Sequence, residues 1–291
     1  MLSVVIPSFF SSHLIKQRLK EINKSFKVII IENSLDTDLK KDLEKNNQNV
    51  KVIIPEKNLG WGRAVNLGIK ESSTDLIFIT QPDVKLIDNC LDKLVECTKD
   101  FKDFTVLTPL DNGNSNFINY EIYKNFTETI QKKEFLLQEV DYVDLTWLIN
   151  KQNLENILWD ENIFLYFEAK DFAKRLRDNK KKIYIVKNIY TSHIGSSSHN
   201  SKLNHFAILT RNWHYNWSRF YYLRKHFGYF YALKKNTSIL FKLLIKLTSA
   251  LIFFNKIKIK YIYAEFSGLI NSIFCRPANY RPYEDLKKNG D

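Results

Sequence analysis

The sequence predicts an α/β protein, a mostly parallel central sheet flanked by helices, followed by a helical and basic C-terminal region. Three observations carry this expectation. Short β-branched apolar runs alternate with polar amphipathic segments through the first hundred residues, the pattern of parallel strands joined by crossover helices. A second group of apolar runs lies between residues 104 and 194. Beyond residue 205 the composition turns aromatic and basic. The chain has 291 residues, 44% of them hydrophobic, which is enough to bury a full core.

Taken in order, "LSVVIPSF" (2–9), "KVIIIEN" (27–33), "VKVIIP" (50–55) and "DLIFITQPDV" (75–84) read as buried strands, rich in β-branched residues and closed by turn formers. Amphipathic segments near 12–24, 36–47 and 61–72 read as the helices between them. In the second group, "FTVLTPL", "VDLTWLI" and "KKIYIVKNIYTSHI" read as further strands, with a helix over 168–179 before the last. Residues 112–138 are Asn-rich and weakly patterned and read as a loop. The final part contains "RNWHYNWSRFYYLRKHFGYFYALKK" and "ILFKLLIKLTSALIFFNKIKIKYIY", where Lys242 and Lys246 share a helix face. The expected division is one α/β domain over 1–205 and a helical aromatic and basic region over 206–291.

A formal net charge of +12 favours acidic partners, and nucleotide phosphates, anionic lipid and nucleic acid all satisfy it. The aromatic-basic run at 211–227 carries no RNA-binding motif, so nucleic acid is not expected. Cys90, Cys97 and Cys275 form neither a CxxC pair nor an even framework, and no signal-peptide pattern precedes the first strand; both point to the cytoplasm. Lys242, Lys246 and Lys256 interrupt the most apolar segment, short of the roughly 18–20 residues that a membrane span needs. An amphipathic helix of this kind fits the surface of an anionic membrane, and equally an ordinary helical subdomain.

Ligands of parallel sheets bind beyond the carboxyl ends of the strands, here at Ser8, Glu32, the stretch from Pro55 to Asn58, and Asp83. A nicotinamide fingerprint would follow the first strand. The glycines of "NLGWGRAVNLG" follow the third, and Val65 stands where a further glycine would be needed; no P-loop motif is present either. Gly60, Gly62 and Gly68 also fit a tight turn with close helix packing. Asp83, in "TQPDV", is placed to hold Mg²⁺ or Mn²⁺ together with phosphate oxygens, or to form a turn or cap. His193 closes a strand and opens the Gly/Ser stretch of "TSHIGSSSH", where it is either a structural residue or a contributor to a metal or phosphate site. In "FEAKDFAKRLR", Phe167, Phe172 and Leu176 mark one helix face, and Glu168, Asp171 and Arg175 another. That second face is either a solvated row of ion pairs or a carboxylate steadied near a helix N-terminus as a general base.

Together "SVVIPSF", "VIIIENSLD", "NLGWGRAVNLGI", "FITQPDV", "WDENIFLYFEAKDFAKRLR" and "TSHIGSSS" resemble, in order and spacing over residues 2–200, the family 2 glycosyltransferases. The likeness is strongest to the rhamnosyltransferase-like branch that builds bacterial surface polysaccharides such as O-antigen. "RNWHYNWSRFYYLRKHFG" and "CRPANYRPY" look like that branch's C-terminal extension. The resemblance implies the Rossmann-like GT-A fold, with a nucleotide-binding half over about 1–100 and an acceptor half over about 101–205.

Carried over residue by residue, the resemblance assigns Ser8 and Glu32 to the base and ribose, Glu32 standing where Asp is more usual. It assigns Asn58, Gly60, Arg63 and Asn66 to the loop and helix along the nucleotide. Asp83 matches the last acidic residue of the metal-binding DxD motif, with Gln81 in place of the first ligand, and His193 matches a His near the diphosphate. The family has Glu-Asp where this chain has Glu168-Ala169, and the missing Asp is the family's base. Asp171 precedes Arg177 by the interval that normally separates base and Arg, so Asp171 is the expected base, with Glu168 in reserve. The implied activity is inverting transfer of a sugar, rhamnose among the candidates, from a dTDP- or UDP-sugar to a glycan or lipid-linked glycan at the cytoplasmic face of the inner membrane. The alternative is a catalytically silent partner in a polysaccharide assembly complex.

Overall fold

The β-branched runs form strands buried on both faces, which requires helices on either side of the sheet. The computed structural model describes residues 1–113, 118–123, 128–194 and 204–282. In chain order the first elements are β1 (Leu2–Ser8), α1 (Ser12–Arg18), β2 (Lys27–Glu32), α2 (Thr37–Asn46), β3 (Val50–Ile53), α3 (Trp61–Glu71) and β4 (Leu76–Ile79). There follow β5 (Val84–Leu86), α4 (Cys90–Asp100), β6 (Val106–Asp111), β7 (Tyr120–Glu121), β8 (Thr129–Lys132), β9 (Phe135–Glu139), β10 (Tyr142–Val143), β11 (Trp147–Asn150) and α5 (Lys151–Leu154). The last are α6 (Glu168–Asp178), β12 (Ile183–His193), α7 (Asn204–Phe227), α8 (Tyr229–Ile252) and α9 (Lys256–Ile273).

The main sheet has ten strands in the order β3-β2-β1-β4-β11-β6-β12-β9-β8, with β5 paired to β12. Strands β3, β2, β1 and β4 are mutually parallel. Strand β11 runs antiparallel to both β4 and β6, and β6 is parallel to β12. The carboxyl ends of β1, β2, β3, β4, β6 and β12 therefore share one edge, together with the chain entering β11. Alternation along the strands divides the core between the two faces. Val4, Ile6, Val28, Ile30 and Phe78 pack on one side, and Val5, Ile29, Ile31, Ile77 and Ile79 on the other.

The structure departs from the sequence expectation in three places. Helix α4 was not expected, although Cys90, Leu91, Leu94 and Cys97 recur at helical spacing and are buried. Helix α1 ends at Arg18, well short of residue 24. Among the described residues of 112–138, the expected loop is replaced by strands, with β8 and β9 paired in a hairpin through Gln131↔Leu136 and Lys132↔Phe135.

The chain divides into two compact units. One comprises Met1–Asp160 and Ala169–Ser198, the other Glu161–Glu168 and His199–Asp291. The short segment before α6 joins the helical unit because Phe164 and Leu165 pack with Leu209, Trp213 and Trp217, and the Ser218 hydroxyl donates to the Leu165 carbonyl at 2.8 Å.

Candidate nucleotide-sugar site

Parallel pairing sets Ser8 directly opposite Glu32 at the ends of β1 and β2. Both are buried. One Glu32 carboxylate oxygen accepts from the Ser34 N–H at 2.8 Å and from the Ser34 hydroxyl. Its other oxygen, Oε2, and the Ser8 Oγ have no hydrogen-bond partner among the described residues. A buried polar atom left unmatched costs about 1–3 kcal/mol, so two such atoms side by side at a strand edge mark a place for a polar ligand.

The next strand end carries the glycine loop. Asn33 Oδ1 accepts from the Leu59 N–H at 3.0 Å, and Asn58 Oδ1 accepts from the Gly60 N–H at 2.9 Å, so these amides shape the entry to α3. Gly60 has φ 77°, a conformation that side chains resist, and it is the N-cap of α3. Arg63 is exposed on the first turn. Asn66 is buried and makes a reciprocal pair with the Trp159 backbone, donating from Nδ2 to the carbonyl and accepting at Oδ1 from the N–H, both at 3.0 Å. Those two bonds fix the Trp159 backbone against α3. The rings of Trp61, Trp147 and Trp159 meet at centroid distances of 5.0–6.0 Å, and Trp159 stacks on Phe172 at 3.7 Å. This cluster ties α3, β11 and α6 together beneath the strand edge.

At the centre of the edge, Asp83 Oδ2 lies 3.4 Å from His193 Nε2. The pairing of β5 with β12 enforces this meeting, because His193 is in register with Val84 and the Ile194 N–H donates to the Asp83 carbonyl at 3.0 Å. Two further carboxylates stand nearby that the sequence reading missed. Asp111, at the end of β6, accepts the His193 N–H at 2.7 Å, while its Oδ2 is buried with no hydrogen-bond partner among the described residues. Asp144, just before β11, accepts from the Tyr142 hydroxyl at 2.7 Å and the Leu145 N–H at 2.8 Å. The hydrogen bond to Asp83 raises the His193 pKa against the opposing effect of burial, and the charges of Asp83, Asp111 and Asp144 reinforce it. Burial raises the Asp144 pKa in spite of its two donors. The Gly/Ser stretch after His193, from residue 195, lies outside the described residues.

Among the described residues no cluster of three or more His, Cys, Asp or Glu forms a complete metal cage. The donor set does fit a divalent ion that takes most of its shell from phosphate and water. Asp83 and His193 are adjacent at the edge, and the unmatched Asp111 oxygen adds negative charge beside them.

Helix α6 separates the two candidate bases. Asp171 is 0% exposed, and its Oδ2 receives the Arg175 Nε–H at 2.8 Å. Asp171 is thus enclosed beside Arg175, and Oε2 of Glu168 is buried as well, so both carboxylates remain candidates for the base. Glu168 is half-buried and is the first residue of α6, where the helix dipole favours an ionised carboxylate. The chain enters through Tyr166 and Phe167, each with φ 65°, a strained conformation for aromatic residues that sets the direction of the helix start. The Tyr166 hydroxyl accepts from Arg211 Nε at 2.9 Å, and burial raises its pKa.

The family model for glycosyl transferase family 2 matches residues 3–158, more than half of the chain. No curated protein sequence matches it. Among solved structures, a mannosyltransferase, PcManGT from Pyrobaculum calidifontis in complex with GDP-Man and Mn²⁺, is similar with a TM-score of 0.56 at 8% identity, over 94% of this chain and 87% of that one. TarS from S. aureus is similar with a TM-score of 0.53 at 17% identity, over 72% of this chain but 39% of the TarS chain. Its fragment 1–349 in complex with UDP-GlcNAc reaches 0.54 at 15% identity, over 94% of this chain and 92% of the fragment. At these identities the likeness is one of fold.

Proposed function

The chain belongs to glycosyl transferase family 2, and from that premise we propose that it is an inverting enzyme moving a hexose from a dTDP- or UDP-sugar to a hydroxyl of a lipid-linked surface glycan. Rhamnose is the sugar suggested by the motif order, and the cytoplasmic face of the inner membrane is the place where such acceptors are extended. The observation that carries the reading is the pair of unmatched polar atoms, Ser8 Oγ and Glu32 Oε2, at the carboxyl ends of neighbouring parallel strands. Such a position takes nucleotides, and a ribose hydroxyl or base edge supplies the missing partners.

In this reading Ser8 and Glu32 hold the nucleoside, while Asn58 and Gly60 shape the loop over it. Arg63 lies toward the phosphates. Asn66 acts at one remove, by fixing Trp159. Asp83 and His193 would hold Mg²⁺ or Mn²⁺, which when bound supplies positive charge for a departing diphosphate. Glu168 takes the proton from the acceptor hydroxyl. The freed oxygen pair attacks the anomeric carbon, the bond from that carbon to the phosphate oxygen breaks, and the nucleoside diphosphate leaves with its electrons. A single displacement inverts the configuration, and one base is enough.

Ser8→Ala tests the nucleotide assignment. Because Ser8 Oγ bonds no atom of the described residues, the substitution should leave the melting temperature unchanged or slightly higher. It should also weaken binding of UDP or dTDP, titrated calorimetrically with Mn²⁺, several-fold. A variant that melts earlier but binds nucleotide normally would make Ser8 a packing residue and remove the main support for the reading.

A further inference from the structure

Helix α8 carries apolar side chains on two opposite faces. Ala232, Asn236, Leu243 and Ala250 recur every four or seven residues and are buried against the rest of the helical unit. At 3.6 residues per turn, Phe241, Ile245 and Ile252 fall on the far side of the helix, and all three are exposed. Lys235, Lys242 and Lys246 flank this outer stripe and are exposed as well. The turn into α9 extends it with Phe253 and Phe254, which are 78% and 86% exposed. Exposed Lys256, Ile257, Lys258 and Lys260 follow directly.

The charge around this patch is predominantly positive. From residue 179 to residue 264 the sequence contains no Asp and no Glu. A second copy of the chain laid on the patch would set lysine against lysine, with Glu265, partly buried near Lys246, as a single carboxylate against them. An anionic lipid surface meets both features. It accepts exposed Phe, Ile and Leu side chains at the headgroup boundary, and its negative surface potential attracts each nearby Lys. Among the described residues no helix is long and apolar enough to cross a membrane, which suits an element that lies in the interface.

We propose that the outer face of α8 and the Phe253–Phe254 turn seat the protein on an anionic lipid bilayer, the aromatic turn entering the interface and the lysines contacting headgroup phosphates. This deepens the membrane component of the proposed function, and its test needs neither donor nor acceptor.

The experiment is flotation of the full chain with vesicles of phosphatidylcholine, with and without phosphatidylglycerol, over a range of salt. The expected result is binding to the anionic vesicles that weakens as salt rises, and at least about a tenfold loss of affinity in Phe253→Ser/Phe254→Ser, since two apolar rings no longer leave water. A second double variant, Lys242→Gln/Lys246→Gln, should weaken binding and reduce the salt dependence while leaving the turn intact. No binding to anionic vesicles overturns the proposal, as does undiminished binding by the Phe variant. So does a lipid-free dimer of the wild type that the Phe variant turns into a monomer, because a second copy would then cover the face. Donor hydrolysis by the same folded variants, measured without vesicles, reports separately on the glycosyltransferase reading.

Discussion

Glu168 and Asp171 lie one turn apart on α6 and differ in what surrounds them. Asp171 is sealed in and holds Arg175, whereas Glu168 opens the helix. Glu168→Gln keeps the shape and removes the base, so kcat should fall by about 10²–10⁴ with nucleotide affinity retained. Asp171→Asn should instead lower stability by about 1–3 kcal/mol, through loss of a charged hydrogen bond in a buried position, and keep near-normal kcat at a permissive temperature. Urea unfolding and single-temperature kinetics on the two variants separate these roles, and the opposite pattern would return the base to Asp171. A second residue sets a pH limit. His214 is buried beneath Arg281 and Tyr280, and burial, helped by the Arg281 charge, depresses its pKa to about 3. The native protein keeps this ring neutral while the unfolded chain protonates it from its ordinary 6.5 downward. Stability from this group is therefore full above that value and lost as pH falls toward about 3. Unfolding free energy should drop between about pH 7.5 and about pH 5, and the drop should shrink in His214→Gln; equal slopes would assign the pH dependence to other groups.

At the scale of elements, α3 is the part whose placement the site depends on most. It packs so closely on β1 that a Cβ at Gly68 would come within 2.3 Å of Val5 Cγ1, in a strand with no room to move. Gly68→Ala should destabilise by about 1–3 kcal/mol and weaken nucleotide binding as the helix start shifts; a melting temperature equal to wild type would mean that α3 is not held there. Strands β1 to β4 and helix α3 were legible in the sequence, because strands buried on both faces must be continuous β-branched runs and their connections must be amphipathic. The β8–β9 hairpin was not, since "TIQK" exposes most of its side chains and offers little apolar signal. Asp111 and Asp144 escaped notice for a different reason. Each is an ordinary acidic residue beside a strand, and only the order β4-β11-β6-β12 brings them to His193. The burial of Asp171 was hidden for a related reason, because helical spacing gives the face a residue lies on but not whether that face is sealed.

At the scale of the molecule, one unit carries the sheet whose carboxyl edge gathers Ser8, Glu32, Asp83, Asp111 and His193. The other carries Glu168 and the basic helices. The unmatched atoms Ser8 Oγ and Glu32 Oε2 and the Asp83–His193 pair belong to the first unit, and Glu168 begins helix α6. Ala169, which stands where the resemblance leads one to expect the base, makes turnover the point at issue. The most direct test is release of nucleoside diphosphate from a panel of nucleotide sugars, dTDP-rhamnose and UDP-sugars included, with Mn²⁺ or Mg²⁺, with EDTA as control and a membrane extract as acceptor source. The account predicts release from one donor that stops with EDTA, is abolished in Asp83→Asn and falls sharply in Glu168→Gln. Tight donor binding with no release from any member of the panel would contradict it, and would make the chain a silent partner that keeps the fold and the nucleotide pocket without the chemistry.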